Sequence, residues 1–390
     1  MIDYNSVISQ RVQNIQPSGI RKFFDLLENM TDAISLGVGE PDFQTPWHIR
    51  DAGIYSLEKG FTKYTSNAGM TDVRREICNY LARRFDLKYH YDDQVLVTVG
   101  GSEAIDLAIR CITNPGDEIL IPEPSFVCYG PITSLASGVP VAIQLTADNE
   151  FRLSPEQLEV AITPKTKALV LPYPCNPTGG IMEMDDLQKL VPILKKHNLI
   201  VISDEIYAEL TYGQRHVSMA NIPDMYGQTL VVNGMSKCYS MTGWRLGYVC
   251  GPVELISQMT KIHQYAIMSA PTTSQYAAIE ALKYGDDDIE AMKEEYDGRR
   301  RYLVNGLRAL GLSCFEPKGA FYVFPSIEST GLSSEEFCEQ LLLQQNVACI
   351  AGNAFGESGE GFVRMCYAAS MKSLEEALHR IGLFLDSLKK

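Results

Sequence analysis

The chain has 390 residues, long enough to bury more than one core, so two domains are the expectation. With 45% hydrophobic and 21% charged residues it has an ordinary globular composition, and a net charge of -14 with no local cluster of lysines and arginines argues against a nucleic-acid surface. The ten cysteines lack C-x-x-C spacing, the six histidines lack a ligand pair, and no apolar run reaches the length of a membrane span, so neither a metal site nor a transmembrane segment is expected.

Residues 1–45 open with a polar helix-forming stretch and then run through Ala33-Ile-Ser-Leu-Gly-Val-Gly-Glu-Pro-Asp42. Gly37-Val-Gly39 lacks the third glycine of a dinucleotide loop, and Pro41 would not open the helix that such a loop needs. Lys63 to Arg74 reads as a loop entering a helix, with Tyr64 on the loop. From Gln94 onward apolar strands alternate with helices, the pattern of a parallel sheet with covering helices.

Val95-Leu-Val-Thr-Val-Gly-Gly-Ser102 is a strand, a glycine pair and a helix start, where backbone N–H groups and the helix dipole form an anion site. Gly101 and Ser102 are the candidates there, although a plain strand-to-helix turn has the same composition. After the next strand, Glu118 to Pro122, Phe126 and Tyr129 offer aromatic surface on which a flat ring can lie. Asn176, in Asn-Pro-Thr-Gly179, carries a side-chain amide to the carboxyl end of a strand, where open α/β sheets bind ligands. The strand Leu199 to Ser203 ends in Asp204, a carboxylate that burial destabilises unless a cation such as a protonated ring nitrogen pairs with it.

Asn233-Gly-Met-Ser-Lys-Cys-Tyr-Ser-Met-Thr-Gly-Trp-Arg-Leu-Gly247 is the stretch around which the rest is organised. Lys237 lies between two apolar runs and near Arg245, so desolvation and a neighbouring cation lower its pKa and let the amine condense with an aldehyde. Ser236 and Arg245 are donors of the kind that hold a phosphate, and an aldehyde bearing a phosphate points to pyridoxal 5′-phosphate. From Asp286 a long charged helix begins, then Leu312 to Phe324, and Gly361 to Ala368 places Arg364 inside an apolar strand, where its guanidinium fork suits a carboxylate.

The run from Gly234-Met-Ser-Lys237 to Arg245-Leu-Gly247 resembles the lysine signature of class I/II aminotransferases, which are fold-type I pyridoxal phosphate enzymes, and the remaining motifs follow in that family's order from Gly39 to Arg364. The resemblance implies an α/β fold: a mostly parallel seven-stranded sheet in a large domain, residues 46–285, and a smaller α+β domain from both termini, residues 1–45 and 286–390. It implies that Lys237 holds the cofactor and moves the Cα proton. On the same resemblance, Asp204 would face the ring nitrogen, Tyr207 and Asn176 the phenolic oxygen, and Phe126 the ring. Gly101, Ser102, Ser236 and Arg245 would take the phosphate, which Tyr64 would reach from the other subunit of a homodimer. Gly39, Asn176 and Arg364 would bind the substrate carboxylate.

The implied reaction moves an amino group from an L-amino acid to a 2-oxo acid such as 2-oxoglutarate. Some aspartate-using relatives carry a lysine where this chain has Ser102, and Arg21 or Lys22, beside apolar Ile20 and Phe23, stand as candidates for a cation from the amino terminus. An aromatic or broad-range donor is therefore expected, with aspartate, an N-acyl-diaminopimelate, and carbon–sulfur β-lyase chemistry on the same scaffold as alternatives. The dispersed cysteines and the absence of a signal-peptide pattern at Met1-Ile-Asp-Tyr lead to a cytoplasmic expectation.

Overall fold

The computed structural model describes residues 2–17 and 32–389. Arg21, Lys22, Ile20 and Phe23 lie outside the described residues. In place of one polar helix, the described amino-terminal residues form two four-residue helices, Tyr4–Val7 and Gln10–Gln13.

Among the described residues twelve strands follow: β1 (Ile34–Ser35), β2 (Val95–Thr98), β3 (Glu118–Glu123), β4 (Val139–Gln144), β5 (Thr166–Leu171), β6 (Ile200–Asp204), β7 (Thr229–Gly234), β8 (Gly247–Cys250), β9 (Tyr322–Val323), β10 (Val347–Ala348), β11 (Ile350–Ala351) and β12 (Val363–Cys366). Seven of them form one sheet in the order β2-β8-β7-β6-β5-β3-β4, and only β8 runs antiparallel to its neighbours. The exception has a geometric reason. Parallel neighbours are usually joined through a covering helix that carries the chain back across the sheet, whereas the 235–246 excursion holds only the four-residue helix Met235–Cys238 and the single turn Thr242–Trp244 and returns β8 along β7. Every other strand of the sheet therefore ends on the same edge.

The strands read as continuous apolar runs because both faces are covered. Along β2, Leu96 faces a cluster with Ala104, Ile105 and Ala108 of the helix Gly101–Ile112, while Val95 and Val97 face Val73, Ile77, Ala277 and Ala281 of two helices on the other side. Farther along, Leu120, Leu169 and Val201 pack on Leu187, Leu190 and Leu194 of the helix Met184–Lys196. Each fully buried side chain of this size contributes about 1.5–3 kcal/mol of transfer free energy, which anchors the strand ends.

A separate core gathers the carboxyl-terminal third. Leu303, Phe337, Leu341, Ile381 and Phe384 of three helices pack with Phe321, Val363 and Met365, and Leu36, Tyr207 and Leu210 join them. β1 pairs in parallel with β10, Ile34 opposite Val347, so the segment leading to Gly39 is bound to this core. β11, β12 and β9 make an antiparallel sheet with Ile350 opposite Arg364. Within the stretch Leu312 to Phe324, Tyr322–Val323 forms β9.

Candidate active site

At the carboxyl edge of the large sheet, β2 passes through Gly100 into the helix Gly101–Ile112. Gly100 has φ 82, a region costly for a residue with a side chain, and a Cβ there would lie 2.5 Å from Arg245 Nη2. The Arg245 guanidinium thus lies against Gly100, the residue just before the helix start, and its Nη1 donates to Thr242 O at 3.1 Å. Arg245 itself sits at φ 52, a conformation few non-glycine residues adopt. Ser236 follows β7 in the short helix Met235–Cys238 that also carries Lys237.

Lys237 Nζ donates to Gly39 O at 2.6 Å and lies 5.7 Å from the Tyr207 ring centre and 5.6 Å from that of Phe321. Burial is the main cause that lowers its pKa to about 8; Arg364 and Arg245 add to the effect, while Glu40 and Cys366 oppose it. Asp204, at the end of β6, is 7% exposed, and burial raises its pKa. Its Oδ2 accepts from Tyr129 Oη at 2.7 Å and its Oδ1 from Ile206 N at 3.2 Å. The Tyr207 hydroxyl stands 2.9 Å from that of Tyr322.

Arg364 reaches the same space from β12 and is 2% exposed. Its Nη1 donates to Asn176 Oδ1 at 2.8 Å and its Nη2 to Gly37 O at 2.5 Å, between the rings of Tyr322 and Phe355 at 4.5 and 4.8 Å. Since Arg364 takes the Asn176 oxygen, any donor role of that amide toward a ligand falls to Nδ2. Among the described residues the buried Arg364 Nε has no hydrogen-bond partner, a donor that an anion would satisfy. A Cβ on Gly39 would sit 2.7 Å from the Tyr322 hydroxyl, so glycine there keeps Tyr322 in place.

One cavity of about 510 Å³ is lined by every described residue that the sequence placed in the site except Tyr64. Tyr64 is 83% exposed on the surface loop. Over residues 31–381 the chain matches the family model described as aminotransferase class I and II. The chain belongs to the class I and II aminotransferases. It is 52% identical over 380 residues to the putative aminotransferase YugH of Bacillus subtilis, covering 97% of this chain and 98% of that one. It is 42% identical to an aspartate aminotransferase of Pyrococcus abyssi, over 98% and 99% of the two chains. The aromatic aminotransferase structure from Pyrococcus horikoshii superposes with a TM-score of 0.90 at 41% identity, over 94% of this chain and 99% of that one.

As an aminotransferase of this class and fold, it depends on pyridoxal 5′-phosphate, and the donor set fits that group. A buried amine of lowered pKa suits an aldehyde, a buried carboxylate suits a ring nitrogen, and a glycine helix start with Arg245 and Ser236 suits a phosphate. Sequence reasoning gave Tyr129 no role beyond aromatic surface beside Phe126, and it did not single out Tyr322 or Glu40. Tyr129 falls three residues after Phe126 and Tyr322 next to Phe321 in an aromatic strand, a signal that reads equally as core.

Proposed function

We propose that this aminotransferase takes L-amino acids with aromatic or other uncharged side chains as its preferred donors and 2-oxoglutarate as acceptor. The observation that carries this is the cavity wall. Beside the cofactor-facing Phe126, Tyr129 and Tyr207, it is lined by Ile206 and Tyr322, and among the described residues its cations Lys237, Arg245 and Arg364 are assigned to the cofactor and the α-carboxylate, leaving none of these three for a side-chain carboxylate. Ser102 stands at the helix start where some aspartate-using relatives have lysine, and Arg21 or Lys22 is proposed to meet the distal carboxylate of 2-oxoglutarate.

Pyridoxal phosphate, when bound, supplies an aldehyde carbon to carry the amino group and an electron sink for the pair released at Cα. Lys237 would hold it, and the free Lys237 amine would move a proton from the substrate Cα; a pKa of about 8 suits an amine that must both accept and give near neutral pH. Asp204 would face the ring nitrogen and keep it protonated. Tyr207 and Asn176 Nδ2 would donate to the phenolic oxygen, and Phe126 would lie against the ring. The Gly101 and Ser102 N–H groups, Ser236 and Arg245 would bind the phosphate. Arg364 grips the α-carboxylate, with the Gly39 backbone beside it, and fixes which Cα bond stands ready to break.

We further propose that the working form is a cytoplasmic homodimer in which Tyr64 reaches the phosphate of the partner subunit. Residues 46–285 form the large domain and 1–45 with 286–390 the small one.

The test is a panel of single amino acids mixed with the purified holoenzyme, following cofactor absorbance, ammonia and oxo acids. Phenylalanine or tyrosine should react fastest, without ammonia. A faster reaction with aspartate or an N-acyl-diaminopimelate would overturn the donor class, and accumulating ammonia and pyruvate would reveal a lyase. Ser102→Lys should shift the aspartate-to-phenylalanine ratio of kcat/KM toward aspartate by about tenfold, the equivalent of one surface-facing charge pair of about 1 kcal/mol or slightly more.

A further inference from the structure

Asp204 does not stand alone at the base of the cavity. Tyr129, the first residue of the helix Tyr129–Leu135, is 2% exposed and directs its hydroxyl at Asp204 Oδ2 over 2.7 Å, while its ring meets Phe126 edge-on with centroids 6.1 Å apart. Among the described residues this is the side-chain hydrogen bond on the carboxylate. The neighbouring Glu205 is engaged elsewhere: its Oε1 accepts from Ser203 Oγ at 2.7 Å and Ser218 Oγ at 2.5 Å, and its Oε2 lies 3.0 Å from His216 Nε2.

We propose that Tyr129 is a positioning residue for transamination: its phenol, donating to Asp204 Oδ2, holds that carboxylate anionic and aimed at the ring nitrogen of the cofactor. The proposal rests on the assignment of Asp204 to that nitrogen. An unpaired carboxylate at this depth would gain by binding a proton, and a protonated Asp204 cannot hold a ring nitrogen positive. Burial works toward that proton, as does the charge of Glu205, whereas Tyr129, the Ile206 N–H and Lys237 work against it. Cys128 and Cys175 also face the group, and burial raises both thiols, so they stay neutral. Burial and the Asp204 charge likewise push the Tyr129 phenol well up, so it remains a donor across the working range. Because the same tyrosine packs on Phe126, the donor that fixes the carboxylate and the aromatic face for the ring form one unit.

The experiment measures the affinity of apoprotein for pyridoxal phosphate by fluorescence quenching between pH 5 and 9, with far-UV circular dichroism as the control for folding. In Tyr129→Phe the loss of affinity on the acid side should begin about one pH unit higher than in the wild type, a tenfold weaker hold on the carboxylate charge. A second pair repeats the comparison at smaller volume: Tyr129→His, which can still donate, should keep the wild-type acid limb, and Tyr129→Leu should take the shifted one. An acid limb unchanged in Phe and Leu, or equally displaced in His and Leu, overturns the proposal. Asp204→Asn should bind weakly with a flat acid limb; wild-type binding by that variant would instead overturn the assignment of Asp204 on which the proposal rests.

Discussion

Replacing Arg364 with lysine isolates the guanidinium fork from its charge. The arginine is anchored on one side by Asn176 Oδ1 at 2.8 Å and Gly37 O at 2.5 Å, and clamped between Tyr322 and Phe355, which leaves it oriented before any substrate arrives. A lysine ammonium keeps the positive charge but cannot serve both anchors and still offer two parallel donors to a carboxylate. Loss of one charge-assisted hydrogen bond, worth about 1.5–3 kcal/mol, predicts a fall in kcat/KM of about 10- to 150-fold. The loss should fall on KM more than on kcat, because the carboxylate is gripped alike in the ground and transition states. The assay is the half-reaction with phenylalanine, followed by cofactor absorbance over a concentration series. Phenethylamine, which lacks the carboxylate, serves as control and should react equally poorly with both proteins. An Arg364→Lys enzyme within about threefold of the wild type on phenylalanine, well inside the expected loss, would refute the reasoning.

The depressed pKa of Lys237 predicts that the rate at which apoprotein captures pyridoxal phosphate rises steeply with pH and levels off above about 8, as the neutral amine becomes dominant; a plateau reached only near pH 10.5 would show that burial leaves the amine unperturbed. Lys237→Ala should abolish turnover with the fold intact. Mixing inactive Lys237→Ala dimers with inactive Tyr64→Ala dimers should restore activity, since a hybrid regains one site with Lys237 from one subunit and Tyr64 from the other; no recovery after verified subunit exchange would exclude the crossing tyrosine. His48 contacts Glu280 at 3.0 Å and Asp288 at 2.9 Å; burial opposes its charge, but the two carboxylates outweigh burial and raise its pKa above 6.5. Its stabilising contribution is therefore complete below the unfolded value and lost as pH rises through the raised folded one. The Tm advantage of the wild type over His48→Gln should shrink between pH 6 and pH 9, and a gap that stays constant would contradict this.

Much of this molecule is legible in one dimension because its chemistry sits at strand ends. An apolar run followed by glycine, asparagine, aspartate or lysine marks both a buried parallel strand and the group that it delivers, so Gly101, Asn176, Asp204 and Lys237 could be placed in one crevice before any coordinates. Their shared edge follows from the parallel direction of β2, β5, β6 and β7, which the alternation of strands and helices already required. The sequence by itself also determined Arg364 as an anomaly, since a lone cation in an apolar strand needs an anion.

Only the tertiary structure decided how these groups are held. The pairing of Tyr129 with Asp204 spans 75 positions, that of Tyr207 with Tyr322 spans 115, and that of Arg364 with Asn176 spans 188. A tyrosine beside a phenylalanine carries the same apolar signal whether its hydroxyl meets water, backbone or a buried carboxylate. Local pattern reports which residues are buried, whereas the partner of a buried polar atom is set by which strands and helices converge on it. The lowered pKa of Lys237 belongs to both levels: its place between two apolar runs is written in the chain, and the burial that brings it to about 8 exists only once Gly39, Tyr207 and Phe321 have closed around the amine.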